Sequence, residues 1–563
     1  MATSNQTDPR KKFAPRILPW LLAAAIFGIY WLTLNPWVSL TNYLAVAKTS
    51  GWTWQPEVYN PLFFFITYPL RWLPAAQIPG ALNLFSAVCA ALTLGLLARS
   101  VAILPHDRTD AQRNREHSVF SFLTLKSAWL PPVFAVMVCG LQMTFWEQAT
   151  NCTPEMFDLL LFAFAIWSLL EYRLDERELR LFVAAAVFGA GMSESWALIG
   201  FLPLFVGAII WLRGLAFFNL RFLARMSLCG LAGMLVYLLL PLLAVASHKM
   251  PITFWQALRL NLAAQWNVVK IFFIGPEVRK TLLLLSPASL LPVLLMGIRW
   301  KSSFGDSSKL GLALASFMFH VVHAILLALC VWVAFDPPFS PRHLGFGLPF
   351  LTFYYLGALG VGYFSGYFLL IFGKRAEERS RNRQGQRVRR EIPDAFPLLN
   401  PTILTGVWLF AALTTAGLFY KNLPQIRDAN DDTFKTYAKL VSENLPPAGG
   451  ICLSDDPRRT LFVHAALVRE GRAKDFLLLD TASLPVPAYH SYLHKISPQK
   501  WPETVSAAEA TNGISPLHLI SLLAMLAKTN ELYYLHPSFG YYFEQFCLEP
   551  HGLVYKLNPL PKY

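Results

Sequence analysis

Three glutamates near the ends of apolar segments are the residues of this chain best suited to chemistry. They are Glu57, Glu155 and Glu194. A carboxylate within hydrogen-bond reach of a hydroxyl group can take its proton and so act as a general base. We expect Glu57 to be that base, with Glu155 and Glu194 supporting or replacing it. Each could instead be an ordinary helix-end residue, and Glu155 would suit the positive N-terminus of a helix.

An arginine and a histidine follow a proline-rich turn near the end of the apolar part of the chain. The turn begins at Asp336 and leads to Arg342 and His343. A guanidinium group can grip a phosphate through two parallel hydrogen bonds. Arg342, with His343 beside it, is therefore the candidate ligand of a lipid phosphate. Anchoring at the membrane interface is the alternative for Arg342.

The elements that must position these side chains are apolar helices. The chain has 563 residues, of which 55% are hydrophobic and 15% charged, and its mean hydropathy is +0.42. Runs such as Trp20–Leu34 and Leu310–Phe335 contain no Asp, Glu, Lys or Arg. A helix satisfies its own backbone hydrogen bonds, which lipid cannot do. Since about 20 apolar residues cross a bilayer core, residues 17–420 predict a polytopic α-helical membrane protein with about 11 transmembrane helices.

Basic residues set the topology of this chain. The net charge is +14, yet the tail, residues 421–563, has as many acidic as basic residues. The excess lies between apolar segments, as is typical of loops that face the cytoplasm. Residues 1–16 should therefore be cytoplasmic, whereas the first loop (residues 35–78), the second loop (residues 247–280) and the tail should lie outside. This distribution gives no reason to expect a nucleic-acid partner.

The tail predicts a small soluble α/β domain. Short apolar runs at Gly450–Ser454 and Asp475–Asp480 are bounded by turn residues and predict buried strands, with a helix at Arg459–Arg469 between them. Strands that alternate with helices favour an open α/β sheet. Further predicted elements are helices at 432–444 and 514–528 and strands at 531–536 and 552–557.

The seven cysteines show no spacing typical of a metal site, and we expect no metal ion. Cys452 and Cys547 both fall in the tail. A disulfide between them stays open at this point, because sequence alone cannot pair cysteines.

Several strings of residues carry a family resemblance. In the apolar part they are Trp146-Glu-Gln-Ala149 with Glu155 after it, and Pro341-Arg-His-Leu-Gly-Phe-Gly-Leu-Pro349; in the tail they are Leu445–Asp456 and His536–Glu544. With this order of features the chain resembles the bacterial protein O-mannosyltransferase-like family, which includes relatives of transmembrane protein 260, within the GT-C glycosyltransferase superfamily. The resemblance implies a GT-C-like helical bundle with an outer α/β domain. It also implies a donor sugar linked to polyprenyl phosphate, so that no cofactor is required.

The first loop departs from the family pattern. Ser39 and Asn42 stand where the family tends to have Asp and Glu, and neither side chain can act as a base near neutral pH. The chain is therefore either an active transferase that uses one of the three glutamates, or a non-catalytic GT-C-like subunit of a larger membrane protein complex. A transporter is a third hypothesis, which would call for internal repeats and interrupted helices.

The expected function is transfer of a sugar from polyprenyl phosphate to a hydroxyl group of a protein or glycan. The resemblance places this reaction on the periplasmic face of the bacterial inner membrane. Its partners would be the lipid bilayer, the lipid-linked sugar and the protein or glycan acceptor. The residues expected to line the sugar or acceptor pocket are Asn42, Tyr59, Asn60 and Trp146.

Overall fold

The computed structural model describes most of the chain. The described residues are 13–54, 60–104, 125, 127–246, 252–274, 289–294, 309–338, 340, 342, 351–372, 378–381, 387–390, 399–502, 513–536 and 546–560. Helices predominate up to the tail, and a small sheet forms within the tail.

The first half of the chain folds into helices, several of which begin at or next to a proline. Pro61, Pro79 and Pro154 each lie in the first turn of a helix, where the missing N–H has no helical acceptor to lose. The helices are α1 (Leu18–Leu32), α2 (Tyr43–Ser50), α3 (Pro61–Thr67), α4 (Ile78–Ile103), α5 (Leu130–Gly140), α6 (Met143–Thr150), α7 (Pro154–Asp175) and α8 (Glu178–Glu194).

The second half of the apolar part continues as helices of varied length. They are α9 (Trp196–Gly200), α10 (Leu202–Arg213), α11 (Leu220–Met234), α12 (Leu239–Ala246), α13 (Phe254–Ile274), α14 (Lys309–Ala334), α15 (Leu351–Phe372) and α16 (Leu399–Ala429). Between α15 and α16, the strands β1 (Glu378–Arg381) and β2 (Arg387–Arg390) pair as an antiparallel hairpin of mainly basic residues.

Among the described residues, six helical segments are long and apolar enough to cross a membrane. They are Phe13–Leu32, Ala75–Ile103, Leu220–Ala246, Phe317–Ala334, Leu351–Phe372 and Asn400–Glu443. The pair α5 and α6, bent by 72°, would add a seventh if it is one span. These segments support the predicted membrane class, whereas the number of about 11 crossings stays a prediction.

Three further helices of the apolar part do not meet the same test. Helix α7 carries several acidic residues, and α8 and α10 have only 17 and 12 residues. Residues 275–288 and 295–308, between α13 and α14, lie outside the described residues. The orientation of the chain in a membrane therefore stays a prediction.

Helix α15 lies at the centre of the bundle. It is apolar on all sides, and 94% of the residues in its most apolar stretch are buried. This is expected for a helix with no face left for water or lipid. It packs against α4, α5, α7, α14 and α16. The helices that carry the candidate site therefore rest on one buried core.

Helices α8 and α11 cross with their backbones almost in contact. A Cβ atom at Gly189 would lie 2.1 Å from the carbonyl oxygen of Gly230, and one at Gly233 would lie 2.0 Å from that of Ala186. Small residues at a helix crossing permit this approach, which brings van der Waals contacts that larger side chains would prevent. The crossing holds α8, and with it Glu194, against the rest of the bundle.

Buried asparagines fasten the first loop to the bundle. Asn83 on α4 donates to the carbonyl oxygen of Asn35 (2.7 Å) and accepts from the side-chain amide of Asn42 (2.9 Å) and the backbone of Cys152 (2.8 Å). Asn42 also donates to the carbonyl oxygen of Trp37 at 3.0 Å. Buried amides of this kind are stable only when their hydrogen bonds are made, so the network fixes the start of the loop.

A second part of this network reaches the tail. Asn151 accepts from Asn35 (3.0 Å) and from Ser39 (2.7 Å), and donates to Asn430 at 2.8 Å. Asn430, just after α16, donates in turn to the carbonyl oxygen of Thr33 at 2.8 Å. The first loop, α6 and the entry to the tail are therefore tied together by side chains.

The tail forms a five-stranded mixed sheet with helices around it. The strands are β3 (Gly450–Ser454), β4 (Phe476–Asp480), β5 (Leu532–Tyr534), β6 (Phe546–His551) and β7 (Val554–Pro559), in the order β4-β3-β5-β7-β6. β3 pairs in parallel with β4 and β5, and β7 pairs antiparallel with β5 and β6. The helices are α17 (Thr433–Glu443), α18 (Pro457–Arg469), α19 (Pro487–Ile496) and α20 (Pro516–Leu526).

Cys452 and Cys547 do not form the disulfide that the sequence left open. Both are free thiols, the first buried in β3 and the second exposed in β6. Two strands lie between them in the sheet. At ~4.8 Å per strand step, their strands are roughly 14 Å apart, well beyond the reach of an S–S bond.

Candidate functional site

Two of the predicted site residues line one small cavity. This small cavity has a volume of about 200 Å³ and is enclosed by α2, α3 and the start of α7. Its polar lining includes Lys48, Asn60 and Glu155, all three half-buried. The fold thus brings together a carboxylate, an ammonium group and an amide from three separate elements.

Glu155 reaches the small cavity from the first turn of α7. Pro154 begins the helix, and Thr153 before it has an extended backbone. A carboxylate in the first helical turn is favoured by the positive end of the helix dipole, as the sequence suggested. Because it also lines a cavity, Glu155 combines the helix-end position with access to a ligand.

Lys48 is held in place by the end of α2. The guanidinium group of Arg71 donates to the carbonyl oxygens of Lys48 (2.9 Å) and Thr49. Gly51 then ends the helix with φ of 76°, a left-handed conformation that glycine adopts without strain. The lysine is therefore presented from a helix end whose carbonyl groups are already satisfied.

Glu194 does not line the small cavity but holds part of its wall. Glu194 is only 4% exposed. Its carboxylate accepts hydrogen bonds from the backbone amides of Leu62 and Phe63, the latter at 3.2 Å. Its carbonyl oxygen accepts from the amide of Asn60 at 2.9 Å. A carboxylate at the start of a helix satisfies amides that the helix cannot. Glu194 thus positions α3 and Asn60.

Asp158 is a buried carboxylate that the sequence analysis missed. It lies one turn beyond Glu155 on α7, on the same helix face, and is 7% exposed. Its Oδ1 makes no hydrogen bond to any described residue, and the charges of Glu194 and Glu155 act on it. Burying an ionisable group in an apolar helical bundle costs free energy, so such groups are usually functional. The sequence signal that could have identified Asp158 is an isolated acidic residue within an apolar run.

Arg342 lies in an ionic cluster beside the small cavity rather than in its lining. Its Nη1 is 2.5 Å from Oε2 of Glu147 on α6, and Thr41 donates to the other oxygen at 3.1 Å. Thr41 precedes α2, whose residues line the small cavity. Arg342 therefore flanks the same short helix, with its charge already balanced by Glu147.

Asp336 is a further carboxylate near this cluster. It accepts from the hydroxyl of Tyr354 at 3.0 Å and from the amide of Gln142 at 3.3 Å. Burial raises the pKa of Asp336, while the hydrogen bond from Tyr354 and the positive charge of Arg342 oppose that rise. Among the described residues, no three His, Cys, Asp or Glu side chains are placed to hold a metal ion.

Two further predicted residues are buried in the packing and do not line the small cavity. Trp146 is fully buried, donates to the hydroxyl of Thr33 at 2.9 Å and packs on Phe419. Asn42 is equally buried, and its amide belongs to the asparagine network. Their predicted role in binding sugar or acceptor stays untested. Glu57, Tyr59 and His343 lie outside the described residues.

A larger cleft, the tail cleft, lies between the first loop and the tail. It has a volume of about 420 Å³ and shares Leu44 and Lys48 with the lining of the small cavity. On its loop side, Trp52 packs on His464 with ring centres 4.7 Å apart. Trp54 packs on Tyr489 at 5.1 Å and donates to the hydroxyl of Ser483 at 3.1 Å. The aromatics of the first loop therefore contact the tail.

We expect acid to weaken the contact between the tail and the first loop. Burial lowers the pKa of His464 to about 4, from an ordinary value of 6.5. The unfolded chain therefore binds a proton that the folded chain excludes, and stability falls as the pH drops from 6.5 towards 4. The thermal midpoint in detergent should fall between pH 7 and pH 5. His464→Phe, which keeps a ring against Trp52, should reduce this fall, and an unchanged fall would contradict the assignment.

A third, apolar groove extends along α7 away from Glu155. It has a volume of about 370 Å³ and is lined by α7, α8, α10 and α15. Phe162, at its near end, lies seven residues after Glu155, which is ~10 Å along a helix. An apolar groove that begins a short distance from a polar cavity suits a lipid with a polar head.

Comparison with known proteins yields one family. Residues 56–215 match the family model described as the protein O-mannosyl-transferase TMEM260 N-terminal domain. No curated protein matches the chain. The matched part runs from just before α3 to just after α10 and contains Asn60, Trp146, Glu155 and Glu194. Over these residues, the chain is similar to the N-terminal domain of a protein O-mannosyl-transferase family, which supports a membrane glycosyltransferase.

Proposed function

We propose that this protein moves a sugar from a polyprenyl-phosphate donor to a hydroxyl group of a protein or glycan, on the periplasmic face of a bacterial inner membrane. The observation that carries the proposal is the small cavity, in which Glu155 and Asn60, both from the segment similar to O-mannosyl-transferases, converge with Lys48, which precedes that segment. Mannose is the first sugar to test, because the name of the family specifies it.

We assign the role of general base to Glu155, because its side chain lines the small cavity. The acceptor oxygen attacks C1 of the sugar while the carboxylate of Glu155 takes the hydroxyl proton. The bond between C1 and the phosphate oxygen breaks, and its electron pair leaves with the polyprenyl phosphate. The ammonium group of Lys48 would offset the charge of that leaving phosphate. Asn60, tied to Glu194 through its amide nitrogen, would offer its amide oxygen to a sugar hydroxyl.

The apolar groove would hold the polyprenyl chain. Its lining is almost wholly aliphatic and aromatic, and includes Phe162, Phe188 and Leu356. Burial of such a chain is favourable by ~0.8 kcal/mol per CH₂ group. Phe162 lies ~10 Å beyond Glu155 along α7, so a lipid whose phosphate binds near Glu155 would direct its chain towards the groove.

The alternative is a non-catalytic subunit of a larger membrane complex. Ser39 and Asn42, which replace the acids typical of the family, both take part in the buried asparagine network. Arg342 is paired with Glu147. These contacts favour a structural role for the first loop. Stable co-purification with other membrane proteins, together with no turnover of lipid-linked sugar, would support this alternative.

A reconstituted transfer assay tests the proposal. The full chain, in liposomes that contain polyprenyl-phosphate mannose, should add one hexose to a threonine-containing peptide, as measured by mass spectrometry. A nucleotide sugar supplied without polyprenyl phosphate should yield no product. Absence of product from the lipid-linked donor, with folded protein and intact donor, would contradict the proposal.

A further inference from the structure

Among the described strands of the tail sheet, one at the edge forms a wall of the tail cleft. β4 is the first strand in the order β4-β3-β5-β7-β6 and pairs on one side with β3. Three of its residues, Phe476, Leu477 and Leu478, line the tail cleft. A sheet edge presents N–H and C=O groups that can pair with another extended chain.

The register of the sheet shows which backbone groups of β4 point to that edge. Ile451 donates to Glu531 at 2.9 Å and Leu453 accepts from Leu535 at 2.9 Å, so these two residues of β3 pair away from β4. Cys452 between them must then pair with Leu477 and Leu479, since alternate residues of a strand bond to opposite neighbours.

The remaining residues of β4 therefore direct their backbone groups outward. They are Phe476, Leu478 and Asp480. The hydroxyl of Tyr489 accepts a hydrogen bond from the backbone amide of Asp480 at 3.0 Å, which agrees with this register. The N–H and C=O of Leu478 lie at the middle of the outward edge, where the strand lines the tail cleft.

A second part of the cleft lining is aromatic and is fixed in position. Trp52 and Trp54 belong to the first loop, and their contacts with His464, Tyr489 and Ser483 attach them to the tail. A volume of about 420 Å³ is within the range of ~300–1,000 Å³ of ordinary ligand sites. An added strand would lie ~4.8 Å from β4, within the cleft that these tryptophans also line.

We propose that the tail cleft binds the acceptor as an extended polypeptide that pairs with β4. Backbone groups at strand spacing recognise any extended peptide, while side pockets choose among its side chains. A glycan has no regular series of N–H and C=O groups to match this edge. Lys48 and Leu44 line both the tail cleft and the small cavity, so the two cavities adjoin, as delivery of a hydroxyl side chain to the site of transfer requires. This inference rests on the proposed function.

Hydrogen exchange of the full chain in detergent tests the pairing. The probe is an end-blocked peptide of about ten residues in which valine alternates with threonine, a sequence that favours an extended strand. At millimolar peptide, exchange within Phe476–Asp480 should slow at the outward amides of Phe476 and Leu478, since the amide of Asp480 already donates to Tyr489. The other edge strand, Phe546–His551, serves as the control and should not change. Slowing at β6 alone, or at neither edge, would overturn the proposal, as would protection of β4 by a mannose oligosaccharide but not by the peptide.

A pair of variants at one residue separates the backbone from the side chain. Leu478→Pro removes the outward N–H, and proline is tolerated on the outer edge of a sheet. Peptide affinity, measured by the same exchange titration, should fall about three- to tenfold, which corresponds to the loss of one hydrogen bond. Leu478→Ala keeps the N–H, so its peptide affinity should fall less. Equal affinities in two variants that melt at the same temperature would overturn the proposal.

Binding and transfer are read out separately. Protection of β4 without sugar transfer would uphold the tail cleft as a peptide site and contradict the proposed function. Sugar transfer without protection of β4 would uphold the proposed function and contradict the tail cleft as a peptide site.

Discussion

Glu155→Gln is expected to lower the rate of sugar transfer by about 10²- to 10⁴-fold, the usual contribution of a general base. Glutamine has the same shape and can remain in the first turn of α7, but it cannot accept the acceptor's proton. The variant should therefore fold normally and bind donor and peptide. The measurement is the turnover number in the liposome assay, with hexose addition followed by mass spectrometry.

A matched control for this variant is Glu178→Gln. Glu178 also lies in the first turn of a helix, α8, and its carboxylate is 2.7 Å from Arg213. Glutamine can still accept a hydrogen bond from Arg213, and Glu178 lines none of the three cavities described above, so transfer should continue at nearly the normal rate. If Glu155→Gln transferred sugar as fast as this control, Glu155 would not be the base, and Glu57 and Glu194 would be tested next.

Gly233→Ala is expected to prevent stable packing of α8 against α11. The added methyl group would lie 2.0 Å from the carbonyl oxygen of Ala186 and 2.8 Å from the backbone nitrogen of Ala190. Backbone atoms cannot move aside as a flexible side chain can, so we expect a loss of ~3 kcal/mol, at the upper end of overpacking effects. A lower thermal midpoint and a smaller monodisperse fraction on size-exclusion chromatography in detergent would show it.

Gly28→Ala is the control for this change. Gly28 lies in α1, and a methyl group there would meet no atom within 4 Å. Because alanine favours a helix over glycine by ~1 kcal/mol, this variant should be as stable as the parent or slightly more so. Equal behaviour of the two variants would show that the close crossing of α8 and α11 does not limit stability.

Local patterns predicted most of the tail correctly. The strands at Gly450–Ser454 and Phe476–Asp480 are short apolar runs between turn residues, and the helix between them follows a proline and an aspartate cap. Strand β6 was missed because Glu549 and Pro550 oppose a strand assignment. Proline is compatible with an edge strand, and β6 is at the edge of the sheet. Edge position is a property of the folded sheet, which sequence alone does not reveal.

The candidate site was only partly predictable, because its contacts join distant residues. Glu194 was correctly placed at a helix end, but its partners, Leu62 and Phe63, lie about 130 positions earlier in the chain. Arg342 pairs with Glu147 across 195 positions. No local pattern encodes such pairs. Asp158 could have been found, since it shares a helix face with Glu155 three residues away.

The way α16 enters the tail limits how the tail can be used apart from the bundle. This helix runs from the last membrane segment directly to Asn430, which is tied to Thr33 and Asn151. These hydrogen bonds oppose bending at the junction, so we expect the tail to turn with the bundle as one unit. A fragment cut after α16 would also expose Phe462 and His464, whose rings normally cover Trp37 and Trp52. Such a fragment would expose an apolar aromatic surface and should aggregate unless polar substitutions are made there.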